Sequence, residues 1–339
     1  PIAIDSLNTW QKLKTELDED TGFTRQGILF VAGSEAEMSE YEQWLDVARQ
    51  HDLDTRLLSS KEISAQVDVP AKHWAGGMIT PSDARAEPFA AVPAIARGLQ
   101  ARGGLVREVC AVHAIETNGG KVSGVVTEAG TIRSQSVVCA AGAWSSLFLS
   151  HLGISFPQLG LHATVVRTAK APEFYPGAVG LHDIYVRRRQ DGGYTLASGR
   201  VHHTIGAGSL RFLREFFPTL RNGSDVGLRF GKDVTQRGLF KVTDPGHQAS
   251  PFKTHRVMNP EPTASELVKI RNNLAKRVPQ LADVPFEETW AGMIDATPDV
   301  VPVMDEIPAH PGLFLATGFS GHGFGIGPGA GKVMALSLI

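Results

Sequence analysis

The feature that most constrains this chain lies near its end. From Leu313 to Thr317 an apolar run has the character of a buried strand. It passes into a loop and helix start carrying seven glycines, Gly318, Gly321, Gly323, Gly325, Gly327, Gly329 and Gly331. Glycine permits positive φ and lets a ligand approach the backbone closely. A helix N-terminus adds unpaired N–H donors and a partial positive charge. Together they suit a phosphate or the electron-rich carbonyl edge of a heterocycle. A Walker A loop would need glycine at 326 and Ser or Thr at 333, where Ile326 and Val333 stand. The spacing Gly325-x-Gly327-x-x-Ala330 imitates a dinucleotide fingerprint but leaves no room for the second strand and its acidic residue. A plain structural turn is the remaining alternative, although so many glycines cost backbone entropy that a simple turn does not require.

The rest of the chain supplies an α/β frame for this loop. Helical spacing runs over 5–20 and 35–50, with a buried strand between them at Gly27 to Ala32. A further helix is expected over 86–102, with Asp83 as a possible N-cap and Gly103-Gly104 closing it. Four short β-like runs follow, at 105–109, 111–116, 122–127 and 136–141. Residues 155–260 read as a mixed region, with strands at 162–168 and 193–198, and 262–277 as a helix.

With 339 residues there is enough chain for two domains, and the formal net charge of −2 argues against a polyanion-binding surface. The run Arg187-Arg188-Arg189 is too short to indicate nucleic acid. No window is apolar enough to span a bilayer, and Pro1 to Gln11 lacks the pattern of a signal peptide. Cys110 and Cys139 read as reduced thiols, which points to a cytoplasmic setting. The abrupt start at Pro1 and the apolar end at Ile339 read as the limits of a piece of a longer chain.

Four blocks resemble, in order, the D-amino-acid oxidase/sarcosine oxidase superfamily of FAD-dependent oxidoreductases. Gly318-Phe319-Ser320-Gly321-His322-Gly323-Phe324 resembles its flavin-contacting loop. Val137 to Ser145, with Ala141, Gly142 and Trp144, resembles the strand and turn near the FAD diphosphate. Val112 falls at an adenine-contacting valine, and Trp290 to Asp299, with Gly292, resembles the segment crossing the flavin's face. The resemblance implies an α+β fold, in which a glutathione-reductase-type FAD-binding α/β domain is interleaved with a mixed-sheet substrate domain. Residues 80–150 and 286–339 would belong to the flavin side, 1–79 and 151–285 mainly to the substrate side. It implies FAD as cofactor, with Gly325 and Ile326 joining the contacts, and oxidation of a C–N bond in a small-molecule amine or amino acid to an imine. Oxidation of a C–O bond in a 2-hydroxy acid, or a non-catalytic interaction fragment, are the alternatives.

The departures from the family pattern are specific. No GxGxxG unit opens the chain, which puts FAD affinity of this segment in question. Gly292 stands where sarcosine oxidases carry the cysteine of a covalent flavin link, so the flavin is expected to be non-covalent. Ile294 replaces a carboxylate-binding arginine of glycine oxidase-like members, and Gly325 replaces a lysine of sarcosine oxidases. Tyr185 matches a tyrosine of the substrate pocket; Arg187 would share its strand face and is the candidate substitute clamp, with Arg200 a weaker one. His322 matches a flavin-proximal positioning histidine. His202-His203 would face opposite ways on a strand, which argues against a metal site. Ala197 falls where sarcosine oxidases place the lysine that promotes reaction with oxygen, so slow reaction with oxygen and use of a quinone or carrier are expected, with oxygen itself as the alternative acceptor.

Overall fold

The computed structural model describes residues 1–68, 74–221, 226–230 and 251–338. The strands are β1 (Thr24–Arg25), β2 (Ile28–Ala32), β3 (Arg56–Ser59), β4 (Gly76–Thr80), β5 (Ala84–Arg85), β6 (Val112–Asn118), β7 (Lys121–Thr127), β8 (Gly130–Arg133), β9 (Val137–Cys139), β10 (Leu159–Thr168), β11 (Ala178–Leu181), β12 (Tyr185–Arg188), β13 (Tyr194–Ala197), β14 (Val201–Ile205), β15 (Val226–Phe230), β16 (Phe286–Ala296), β17 (Val303–Glu306) and β18 (Leu313–Thr317). The helices are α1 (Ile2–Leu17), α2 (Glu35–Gln50), α3 (Ser60–Gln66), α4 (Pro88–Ala101), α5 (Ser145–Ser150), α6 (Ala207–Arg211), α7 (Leu213–Arg221), α8 (Pro251–Thr254), α9 (Ala264–Arg277) and α10 (Gly323–Ser337). The sequence expectation for 155–260 lies partly outside the described residues.

A mixed sheet dominates. Its order is β15-β14-β10-β13-β12-β11-β2-β4-β3, with β16 on the other side of β10. Alternation along β10 divides its faces: Val166 and Thr164 are buried, while Ala163 and Val165 are half-buried. The buried face joins Leu29, Val31, Leu181, Leu196, Ile270, Leu274 and Leu281 in one core. Burying each such side chain is worth about 1.5–3 kcal/mol relative to leaving it exposed. A second body is formed by the sheet β17-β18-β9 and the sheet β6-β7-β8, around Phe148, Leu149, Phe156, Leu313 and Leu315.

Two local expectations are corrected and one strand is added. Residues 105–109 form no strand; Leu105 and Val109 are 79% and 81% exposed, and Val109 has φ 52°. The strand starts at Val112, where β7 offers a ladder. The N-cap of α4 is Glu87, not Asp83, because Pro88 is pre-organised for the first helical position. Strand β8, a four-residue return of the β7 hairpin, was missed because it is exposed throughout and gives no apolar signal.

Candidate active site

The glycine-rich segment is more helical than its composition implies. Helix α10 begins at Gly323, so five of the seven glycines lie within it. Gly329 is there for packing: a Cβ would meet the Ile2 carbonyl oxygen of α1 at 2.8 Å and Ser6 Cβ at 3.1 Å. Ser6 Oγ and Trp10 Nε1 both donate to the Gly325 carbonyl, at 2.7 and 2.9 Å. Phe324 leans on Trp10, with ring centroids 5.0 Å apart. By contrast, a Cβ on Gly325, Gly327 or Gly331 would meet nothing within 4 Å. Of the five helical glycines, Gly329 is thus helix–helix contact, Gly323 packs on Phe319, and the other three form an open face. Ile326 is half-buried between the two, and His322 is exposed at the helix N-cap.

The loop before α10 is fastened to β16 by Asp295, a role with no signal in the local sequence pattern. This buried carboxylate accepts from Gly318 N at 2.7 Å and Thr317 Oγ1 at 3.3 Å through the same oxygen. The Asp295 carbonyl accepts from Ser320 N at 3.1 Å. Ser320 takes the left-handed conformation, φ 51°, which a non-glycine residue adopts at a cost. Its hydroxyl offsets that by accepting from Thr297 N at 3.2 Å and donating to Gly318 O at 3.1 Å. Gly321, at φ 90°, sits over Ile294, whose side chain would be 3.7 Å from a Cβ there.

The same junction holds the turn after β9. Ser145 Oγ and Thr317 Oγ1 share a hydrogen bond of 2.7 Å. The Gly142 carbonyl accepts from Gln158 Nε2 at 2.9 Å, and Gln158 Oε1 accepts from Ser146 N at 3.0 Å. Gly142 has φ 53° and open space where a Cβ would stand. Beyond it a cavity of about 630 Å³ opens, lined by Val112, Val138, Cys139, Ala141, Trp144 and others, with Arg107 and Arg256. Arg256 is held by Glu128 through two contacts, at 2.5 and 2.6 Å. Burial pushes the Cys139 thiol up, so it stays protonated at neutral pH. The blocks at 112, 137–145, 290–299 and 318–324, far apart in sequence, therefore meet along one path. Its chemistry fits FAD: an apolar slot for a flat ring, then bare glycine backbone at Gly142, Gly292, Gly325 and Gly327 where a cofactor could lie close.

The half-buried face of the large sheet begins where this path ends. The register sets Tyr185 opposite Ala197, Ala197 opposite Val165, and Val165 opposite Trp290. Gly292 and Ala163 form the next pair on this face. Tyr185 is 45% exposed and lies over two glycines: a Cβ on Gly199 would meet its ring at 2.4 Å, and one on Gly180 at 3.1 Å. Phe89, at the start of α4, meets Trp290 edge-on at 6.0 Å. Arg187 shares the face of Tyr185 but is not loose; it pairs with Glu87 at 3.1 Å. Burial pulls Arg85, the second partner of Glu87, below its usual range. Arg200 is exposed. His202 and His203 do face opposite ways: His202 pairs with Glu266 at 3.5 Å, and His203 bonds Ser209 and the Gly160 carbonyl.

Sequence and structure comparisons agree with this arrangement. Residues 1–336 match the family described as FAD dependent oxidoreductase. Mitochondrial sarcosine dehydrogenase of Mus musculus is 24% identical over 338 residues, covering 97% of this chain and 32% of that protein. The 4-methylaminobutanoate oxidase (formaldehyde-forming) of Paenarthrobacter nicotinovorans is 25% identical, covering 98% and 36%. The chain thus spans about a third of the length of these curated relatives. The structure of L-amino acid deaminase from Proteus myxofaciens in complex with anthranilate superimposes with a TM-score of 0.93 at 25% identity, over all of this chain and 77% of that one. Among the described residues no helix is long and apolar enough to cross a membrane. With a match over nearly its whole length and the loop, turn and strand motifs brought together in space, the chain belongs to the FAD-dependent oxidoreductase family.

Proposed function

We propose that this chain carries the substrate face and much of the cofactor path of an enzyme that oxidises a C–N bond in an amine or amino acid. One observation carries the reading most of the way. Asp295 ties the loop at Thr317–Ser320 to the end of β16, so the loop and Gly292 border the same open face as Tyr185. Bound there, FAD would supply the two-electron oxidising chemistry that the chain's own side chains lack. The protein's residues bind, orient and exclude water. Gly292, Gly318, Ser320, Gly321, Gly323, Phe324, Gly325, Ile326 and His322 would hold the flavin end without a covalent bond. Val112, Ala141, Gly142 and Trp144 would hold the adenosine and diphosphate end. Tyr185 and Trp290 would bound the substrate, with Phe89 over Trp290, and Arg187 would bring a guanidinium to that face. Residues 80–150 and 286–339 would then make up most of the flavin side.

No general base is assigned, since an amine that arrives neutral does not need one. Ala197 sits opposite Tyr185 and brings no cation to the face, which supports an acceptor other than oxygen, such as a quinone or a carrier protein. The test is anaerobic reduction of the flavin-loaded protein by a panel of N-substituted amino acids, amino acids and 2-hydroxy acids. Bleaching by amines with release of ammonia or amine supports the proposal, as does slow recolouring on mixing with air. Bleaching by the hydroxy acids alone would replace it with C–O oxidation, and no bleaching by any of them would remove it.

A further inference from the structure

Glu87 stands where an incoming carboxylate would have to stand to reach Arg187. Arg187 Nη1 donates to the Ala86 carbonyl at 2.9 Å and lies 3.1 Å from Glu87 Oε2, while Nη2 donates to Thr195 Oγ1 at 3.1 Å. Both arms of the guanidinium fork are therefore engaged. The other carboxylate oxygen, Oε1, accepts from Arg85 Nη1 and from Gln190 N, each at 3.1 Å. The side chains of Arg85, Glu87 and Arg187 are only 8%, 14% and 24% exposed, so solvent screens them weakly.

Positive potential is in excess here. Two guanidinium groups, those of Arg85 and Arg187, converge on one carboxylate. Arg85 Nε is buried with no hydrogen-bond partner. The cluster thus lacks acceptors rather than donors. A carboxylate is the group that matches a guanidinium fork in shape and charge, and the chain supplies its own.

We infer that Glu87 is a specificity-determining residue that acts as an internal rival to the substrate's carboxylate. While it holds Arg187, an anionic substrate gains little over its neutral analogue. The chain then favours amines whose binding does not depend on a free carboxylate beside the reacting nitrogen. This rests on the reading of the Tyr185 face as the substrate site.

Calorimetric titration of the flavin-loaded protein with benzoate and with its neutral counterpart benzamide tests both levels. The wild type should bind the two within about threefold of each other. Glu87→Gln should tighten benzoate about tenfold, the scale of one charge-assisted hydrogen bond, and leave benzamide unchanged. Glu87→Asp, which retracts the carboxylate but keeps its charge, should tighten benzoate about threefold and serves if the glutamine variant does not fold. A purely structural Glu87 would give weaker or unchanged benzoate binding in both variants, and that result overturns the inference. Tyr185→Ala should weaken both ligands. If it affects neither, the substrate-face reading fails, and the inference with it.

Discussion

Helices α9 and α4 are each fourteen residues long, yet they present opposite surfaces. Helix α9 buries Ile270 and Leu274 in the core beneath the large sheet and turns Lys269, Lys276 and other polar groups outward. Helix α4 buries its small residues, Ala91, Ala94 and Gly98, and leaves Phe89, Val92, Ile95 and Leu99 between 39% and 76% exposed. Gly98 faces α1, where a Cβ would meet Leu17 at 2.2 Å. The difference separates two kinds of region. Beneath the large sheet the apolar stripe is consumed by the chain's own core. Around α4, the cavity at Val112 and the open glycines of α10, apolar and bare backbone surface is left outward. Exposed apolar surface of this kind marks a place where something binds. The first region should therefore answer to mutation through stability, the second through ligand binding.

The largest effect belongs to the α9 core. Leu274→Ala should destabilise the chain by about 2–5 kcal/mol in denaturant melts, through lost burial plus a cavity. A loss below about 1 kcal/mol would erase the contrast with α4. Next comes the junction between the regions. Asp295→Asn replaces the charged oxygen that accepts both hydrogen bonds by a neutral amide oxygen, a weaker acceptor, and should cost about 1–2 kcal/mol. It should also weaken flavin retention; if fluorescence titration shows unaltered flavin affinity, the loop does not depend on this tie.

Asp83, on the turn after β4, gives a smaller effect with a definite sign. Burial first, then the nearby Asp54 carboxylate, raises its pKa from 3.8 to about 6. The folded chain therefore binds this proton more tightly than the unfolded chain. The contribution favours folding most below about pH 4, falls as pH rises towards 6, and is flat above. Asp83→Asn should raise stability at pH 8 by about 1 kcal/mol, allowing for partial exposure, and change little at pH 4. An equal gain at both values would assign the effect to something other than titration. Smallest is Val92→Ala on α4. With its side chain already in solvent, the better helix former should gain about 0.5 kcal/mol. A loss of more than 1 kcal/mol would mean that Val92 is buried in solution.

The contrast was only partly legible in the sequence. The strand at Leu313 and the helices near 35–50, 88–101 and 264–277 follow from periodicity and turn residues, which are local properties; the α+β architecture was implied by the family resemblance. The glycine-rich segment was legible as a ligand loop, but composition does not say which glycines meet a helix and which meet open space. Gly329 and Gly325 look alike in sequence and differ because α1 fills the Cβ space of one and meets only the carbonyl of the other. Asp295 was visible only as the neighbour of Ile294, a place where an arginine was absent. Its function depends on Gly318, 23 residues away. The orientation of α4 was hidden for a similar reason. Apolar residues lie all round it, and the one available cue was the spacing of Ala91, Ala94 and Gly98, small residues that mark a close helix contact. Arg187 was legible as a candidate cation, whereas Glu87 became its partner only because the fold brings the residues just before α4 to the side chain of Arg187.

The central claim is that a flavin lies along the open glycine face of α10. Gly325→Leu tests it most directly, because the two possible roles of that glycine predict opposite signs. Nothing lies within 4 Å of a Cβ at this position, and its φ is not positive. In the flavin-free chain, leucine should therefore leave the melting temperature unchanged or raise it, since glycine within a helix costs roughly 0.5–1 kcal/mol. In the same protein, titration with FAD should show affinity lowered at least tenfold, because the new side chain fills the space assigned to the cofactor. A higher melting temperature with undiminished FAD affinity would contradict the account and place the flavin elsewhere.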